Sequence, residues 1–283
     1  MELLTVFTPT YNRKEKLGEL YRSLEQQTCK DFVWLIVDDG SSDGTDEYIG
    51  EVRETASFRI EYVYQSNAGK SAAHNKGVEL TETELFACVD SDDSLTPNCV
   101  DAVKKKWSDK GDGDIGILAF CTQTQMPDTQ KAVVRTKLKD AYDKHGLRGD
   151  TMLVYETRYI RRYRFPSFPG EKFVPENYLY DLLDRDGTLL LLPDVIYIRE
   201  YCSDGYTQNM SRLIRNNPRG YAAYIEQRLQ FDKGLKARFL DTARYVAILK
   251  VVKESVFSKK VNKAVALFAY PLGWMLYLKK YRV

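Results

Sequence analysis

The 283-residue chain predicts an α/β fold, a mostly parallel sheet with flanking helices, followed by a C-terminal helical extension. Three observations carry this reading. Short apolar runs alternate with helix-like stretches through the first 120 residues, each of the first four runs closes on a polar cluster, and charge divides the chain in two. Up to Asn209 there are 26 basic and 36 acidic residues; beyond it there are 16 and 4, so a region near −10 precedes one near +12 although the whole chain carries only +2. An acidic front suits an enzyme that brings its own carboxylates, and a basic tail suits a polyanionic partner.

The runs are Leu3 to Thr8, Phe32 to Val37, Ile60 to Tyr64, Leu85 to Val89 and Ile115 to Phe120. Runs this short, apolar on both faces, suit strands of a parallel sheet covered on both sides. Between the first two, Lys14 to Gln27 places Leu17, Leu20, Tyr21 and Leu24 at spacings of three and four, the pattern of a crossover helix. Pro9-Thr10-Tyr11-Asn12-Arg13 follows strand one and Asp38-Asp39-Gly40-Ser41-Ser42-Asp43-Gly44 follows strand two. Gln65-Ser66-Asn67-Ala68-Gly69-Lys70 and Asp90-Ser91-Asp92-Asp93 follow strands three and four. Open α/β sheets bind ligands outside the carboxyl ends of their strands, so the four clusters predict one site. Within it, Asp38 is expected to hold its loop, and Ser41, Ser42 and Asp43 to cap the next helix.

Several classes are excluded. A hydrophobic content of 43% rules out collagen-like, disordered and multi-span membrane chains. His74 and His145 are the only histidines, which leaves little material for a histidine zinc site or a Ser-His-Asp triad. Cys29, Cys88, Cys99, Cys121 and Cys202 are odd in number and lack CxxC spacing, as expected of reduced thiols in a cytosolic setting. The opening Met-Glu-Leu-Leu-Thr-Val-Phe-Thr-Pro has no basic segment before an apolar core, so no signal peptide is expected. Gly69-Lys70-Ser71 is not a P-loop, because the residue five before Gly69 is Tyr64 and not glycine. An EF-hand starting at Asp39 would need glutamate at position 50, which is Gly50.

Asp90 and Asp92, two carboxylates one residue apart past a buried strand, can both face a divalent cation whose other ligands are diphosphate oxygens and water. Together, Thr-Pro-Thr-Tyr-Asn-Arg at 8–13, Val-Asp-Asp-Gly-Ser-Ser-Asp-Gly-Thr at 37–45 and Val-Asp-Ser-Asp-Asp at 89–93 resemble the family 2 glycosyltransferases of the GT-A fold. The resemblance covers roughly residues 3 to 100 and resumes near Phe168-Pro169-Gly170-Glu171 through Glu176. It implies an inverting, metal-dependent transfer from a nucleotide-sugar donor, with UDP-sugars favoured, to a hydroxyl of a glycan or lipid-linked saccharide in bacterial surface polysaccharide synthesis. Asp90 and Asp92 become the family's DxD ligands for Mn²⁺ or Mg²⁺. Asp39 is expected to hydrogen-bond the base and Tyr11 to pack on its ring, with Pro9, Arg13, Asn67, Gly69, Lys70, Asp90 and Ser91 completing the nucleotide contacts. His74 stands where related sequences often carry arginine. Relatives place a Glu-Asp pair at the general base; here it reads Glu176-Asn177, which assigns the base to Glu176, with Asp181 and Glu171 as substitutes. The rival readings are a nucleotidyltransferase on a similar sheet and a nucleotide-sugar-binding module without catalysis.

The expected division is 1–205, nucleotide-sugar-binding and catalytic, and 206–283, basic and helical from about Tyr206. Arg158-Tyr159-Ile160-Arg161-Arg162-Tyr163-Arg164 interleaves cations with aromatics and suits a solvated face, a phosphate-bearing acceptor or nucleic acid; no nucleic acid is expected as a partner. Near the end, Lys259, Lys260 and Lys263 precede fifteen largely apolar residues, Ala264 to Leu278, followed by Lys279, Lys280 and Arg282. A span needs roughly 20 apolar residues, and Pro271 and Gly273 interrupt this stretch. It suits a helix lying in an anionic membrane interface, or one packed on the protein body or a second subunit. The expected location is cytoplasmic, peripheral on the inner face of the plasma membrane.

Overall fold

The computed structural model describes residues 2–130, 132–199, 210–231 and 234–282. The chain divides into two compact units, Met1–Arg164 with Tyr180–Cys202, and Phe165–Leu179 with Ser203–Val283. The described residues of the first form a nine-stranded sheet of β1 (Leu4–Thr10), β2 (Phe32–Asp38), β3 (Arg59–Tyr64), β4 (Leu85–Cys88), β5 (Ser94–Leu95), β6 (Asp114–Cys121), β7 (Arg135–Thr136), β8 (Thr151–Glu156) and β9 (Thr188–Ile198). Their order is β3-β2-β1-β4-β8-β6-β9-β5, with β7 also on β9. Helices α1 (Lys14–Glu25), α2 (Thr45–Thr55), α3 (Lys70–Leu80) and α4 (Cys99–Trp107) connect the strands, with shorter α5 (Leu138–Asp143), α6 (Thr157–Ile160) and α7 (Asn177–Leu183) later.

Strands β1 to β4 run parallel, β1 pairing β2 from Leu4 opposite Phe32 to Thr10 opposite Asp38. Both faces of β1, β2 and β4 are covered, which is why those runs lack polar alternation, whereas β3, at the sheet edge, is only half-buried. One face packs Leu4, Val6, Phe32, Trp34 and Ile36 against Leu17, Leu20 and Leu24 of α1. On the other, Phe7 stacks on Phe86 at 5.3 Å and His74 of α3 meets both rings edge-on. Strand β8 is antiparallel to β4 and β6, and β6 is parallel to β9. The carboxyl ends of β6 and β9 therefore emerge at the same sheet edge as those of β1 to β4. Periodicity does not reveal β9, because Pro193, Asp194 and Val195 interrupt it with three exposed positions where its register against β6 shifts.

The second unit contains α8 (Met210–Asn216), α9 (Pro218–Leu229), α10 (Leu235–Val251) and α11 (Lys263–Lys280). The expected helical start near Tyr206 lies outside the described residues. Segment Phe165–Leu179 joins these helices, so compactness does not follow a single cut at 205. Glu171 accepts from the Arg219 and Gly220 N–H groups at the start of α9, and Asn217 Oδ1 accepts from Lys172 N–H. Buried Asp241 ties Arg228 of α9 at 3.1 Å and Arg244 at 2.8 Å. Among the described residues no helix is long and apolar enough to cross a membrane.

Candidate active site

Because β1 and β2 end in register, their loops lie side by side and are stitched together. Asn12, at φ 50°, donates its N–H to Ser41 Oγ and accepts from Ser42 N–H, both at 2.8 Å. Asp43 accepts from Lys14 N–H at 3.0 Å, the first turn of α1, and from Thr45 Oγ1 at 2.6 Å. Helix α2 starts after Gly44, which has no side chain to cap it, and the N–H and hydroxyl of Thr45 in its first turn go to Asp43, the capping role expected of that residue, whereas Ser41 Oγ is taken by Asn12. The N–H groups of Asn12 and Lys14, brought close by strand pairing, take Ser41 Oγ and the second Asp43 oxygen. Asp38 accepts from Ser41 N–H at 2.8 Å and from Tyr62 O–H at 2.7 Å, holding its loop as expected.

Buried Asp39 holds the third loop. One carboxylate oxygen accepts from Gln65 Nε2 at 2.7 Å and Ala68 N–H at 2.8 Å; the other accepts from Gly69 N–H at 2.7 Å. Gly69 has φ 93°, a conformation glycine adopts without a Cβ penalty, and this lets α3 begin at Lys70. Lys70 is thereby aimed at the fourth loop, where its ammonium pairs with Asp90 at 2.6 Å.

That fourth loop is the acidic centre. Asp90, Asp92 and Asp93 each present an oxygen, all within 4.8 Å of one another. Arg13 pairs with Asp92 at 2.8 Å, and the Tyr197 hydroxyl at the end of β9 donates to buried Asp93. Burial pushes the Asp90 carboxyl up, but Lys70, Arg199 and Arg13 outweigh it and hold the group below the ordinary carboxylate range. Burial, then the charges of Asp90 and Asp93, push the Tyr197 phenol well above 10, so it stays a donor. Clustered carboxylates are hard oxygen donors, the set that suits Mg²⁺ or Mn²⁺, and Asp93 joins the two predicted ligands.

The remaining predicted residues fall around this centre or away from it. Pro9 lies in β1 opposite Val37, Tyr11 is 50% exposed just beyond it, and Ser91 is buried. Asn67 sits against Gly40, where a Cβ would stand 3.0 Å from the Asn67 nitrogen. Glu176 is exposed immediately before α7 and belongs to the second unit, whereas Asp181 lies within α7 in the first. Both Glu171 oxygens are taken by the start of α9, which removes it from consideration as a base. His74 is buried against Phe7 and Phe86, not presented to a phosphate. Arg158 and Arg162 lie over the Tyr159 ring, and pair with Glu156 at 2.6 Å and Asp186 at 3.2 Å, the bonding of a self-satisfied surface. No disulfide joins Cys29, Cys88, Cys99 or Cys121, and Cys202 lies outside the described residues.

Sequence reasoning missed Tyr197, Arg199 and Asp150. Arg199 pairs with Asp150 at 2.7 Å, and the charges of Asp93 and Asp90 act on it. The signal was the same as for the other loops, a polar Tyr-Ile-Arg closing a strand, but on a strand that periodicity hid.

The chain is 37% identical over 103 residues to glycosyltransferase GlyA of Streptococcus pneumoniae, covering 36% of this chain and 15% of that protein. It is 31% identical over 125 residues to a teichoic acid poly(glycerol phosphate) polymerase of Staphylococcus epidermidis, covering 44% and 17%. The chain thus spans well under half the length of these relatives. Among solved structures, S. aureus TarS 1–349 in complex with UDP-GlcNAc matches with a TM-score of 0.60 at 17% identity, over 100% of this chain and 82% of that one. Mannosyltransferase PcManGT from Pyrobaculum calidifontis, in complex with GDP-Man and Mn²⁺, matches with a TM-score of 0.59 at 13% identity, over 99% and 88%. These likenesses show the shared GT-A fold. The family described as Glycosyl transferase family 2 matches residues 5–165, more than half of the chain, and the protein belongs to that family.

Proposed function

We propose that this protein is an inverting, metal-assisted glycosyltransferase that moves a sugar from a nucleotide-sugar donor to a hydroxyl of a glycan or lipid-linked saccharide in bacterial surface polysaccharide synthesis. The observation that carries the reading is the convergence of Arg13, Lys70, Asp90 and Asp92 at the carboxyl edge of the parallel strands, two cations and two carboxylates in alternating pairs. Such a centre can exchange partners when a diphosphate and a divalent cation arrive together, the cation meeting the carboxylates and the basic groups meeting phosphate oxygens. Asp90 and Asp92 would hold Mn²⁺ or Mg²⁺, with Asp93 beside them; when bound, the ion stabilises negative charge on the departing nucleoside diphosphate.

Tyr11, half-exposed past β1, offers an aromatic face to the base, with Pro9 behind it in the strand. Asp39 acts on the base by setting the 65–69 loop, including Asn67 and Gly69, because its two oxygens are already engaged there. Ser91, buried and lying between Asp90 and Asp92 in the chain, completes the nucleotide contacts. Glu176 takes the proton from the acceptor hydroxyl, with Asp181 as the alternative base. Uridine donors are favoured, supported by the UDP-GlcNAc in complex with TarS, and a place in surface polysaccharide synthesis is supported by the teichoic acid polymerase relative. The protein would work in the cytoplasm, peripheral on the inner face of the membrane.

The test is release of nucleoside diphosphate from UDP-GlcNAc and GDP-mannose with Mn²⁺, with and without saccharide acceptors, and NMR of the product's anomeric configuration. Asp92→Asn should cut turnover about a hundredfold or more with folding intact. Full activity in that variant, or in wild type with EDTA, would sink the metal role; tight donor binding with no turnover of any donor would favour a binding module.

A further inference from the structure

The second unit carries a surface for which donor chemistry has no use. Helix α11 is seated on α10 through its small residues Ala266, Ala269 and Gly273, all buried. A Cβ at Gly273 would stand 2.7 Å from the Ala243 carbonyl oxygen, so only glycine permits this approach. At 100° per residue, Leu267, Phe268, Pro271, Trp274, Met275 and Leu278 fall on the opposite side, in a stripe about 120° wide and about 17 Å long. All six are exposed, Phe268 by 74% and Leu267 by 63%. Scattered exposed apolar residues are ordinary, but a continuous stripe is not.

Its rim is basic. Lys260 and Lys263 stand exposed at one end and Lys279, Lys280 and Arg282 at the other, and α11 contains no acidic residue. At one edge Lys250 lies over the rings of Trp274 at 4.6 Å and Tyr270 at 5.1 Å, beside a cavity of about 290 Å³ lined also by Lys253 and Glu254.

A second copy is a poor occupant. An isologous pairing sets the same patch against itself, so lysines meet lysines whether the two helices run parallel or antiparallel. We propose that α11 lies in the headgroup region of an anionic bilayer, its apolar stripe toward the acyl chains and its terminal lysines on lipid phosphates. The match is of both chemistries at once, apolar surface too short to span and cations at the depth of the headgroups. This docking is independent of the donor-site reading, and the test keeps the two apart.

The full-length chain is mixed with vesicles of phosphatidylcholine alone or with 30% phosphatidylglycerol and followed by flotation. Trp274 fluorescence provides a second readout, since Trp34 and Trp107 are buried. Wild type should float with the anionic vesicles, release as salt rises, and shift Trp274 emission to the blue. Lys279→Gln with Lys280→Gln should weaken partitioning roughly fivefold per lysine. Phe268→Glu with Met275→Glu should abolish it, while UDP affinity and thermal stability stay at wild-type values. If the glutamate pair fails to fold, Phe268→Ser and the Trp274 shift decide in its place. Wild type that ignores anionic vesicles, glutamate or serine variants that bind as wild type does, or a wild-type dimer that Phe268→Ser converts to monomer would each overturn the proposal.

Discussion

Asp39→Ala should destabilise the first unit through a loop that lies almost thirty residues away in sequence. Asp39 accepts three hydrogen bonds of 2.7 to 2.8 Å, from Gln65, Ala68 and Gly69. The Gly69 N–H is buried, so alanine at 39 leaves it unsatisfied at about 1–3 kcal/mol. The Gln65 amide and the Ala68 N–H are partly buried and regain some hydration, so each loss costs about 0.5–1.5 kcal/mol. Together these give a loss of about 2–6 kcal/mol, centred near 4, or a Tm lower by about 10 °C at about 2–4 °C per kcal/mol for a domain of this size. Asp39→Asn keeps one acceptor oxygen and turns an amide donor toward donors, so it should fall between. The assay is thermal denaturation by circular dichroism, with UDP titrated by calorimetry into each variant at a temperature where both are folded. A Tm within about 2 °C of wild type would refute the loop-anchor argument. If UDP affinity nevertheless collapsed, Asp39 would touch the base directly.

Burial holds the His74 imidazole down to about 3, from an ordinary 6.5. The unfolded chain therefore binds the extra proton between those values, and stability should fall as pH drops below about 6.5, by about 2 kcal/mol at pH 5. His74→Phe should flatten this dependence in urea denaturation; an unchanged slope would exclude His74 as its source. Lys70→Met removes the partner of Asp90, so calorimetry should show Mn²⁺ binding the protein alone roughly five- to tenfold more tightly, the worth of a partly exposed ion pair of about 1 kcal/mol, while UDP binds less well. A parallel fall in both affinities would contradict the exchange of partners. Glu176→Gln should lose kcat with donor affinity little changed, and a wild-type kcat there beside an inactive Asp181→Asn would move the base to Asp181.

The parallel core was legible because burial on two faces leaves its mark in composition: β2 from Phe32 to Val37 and β6 from Ile115 to Cys121 read as runs without a charged residue, β1 adds only small threonines to its apolar residues, and α1 reads from Leu17, Leu20 and Leu24. The candidate site was legible for the same reason, since each run stops where the chain leaves the core and polar residues begin. Strand β9 was not legible, because a bulge at Pro193 and Asp194 breaks its pattern, and with it went Tyr197 and Arg199.

By itself, then, the sequence determined which segments are strands of a covered sheet, that polar clusters gather at their ends, and that residues 259–282 pair an apolar segment with basic flanks. Partner choice was decided only by tertiary structure. Whether Asp43 reaches the Lys14 N–H as well as α2, whether Asp39 faces the base or the Gly69 N–H, and whether Glu171 is a base or a cap for α9 all depend on which donors strand pairing and helix packing bring within about 3 Å. A carboxylate has the same composition in every case; its role follows from the unsatisfied N–H that the fold sets in front of it.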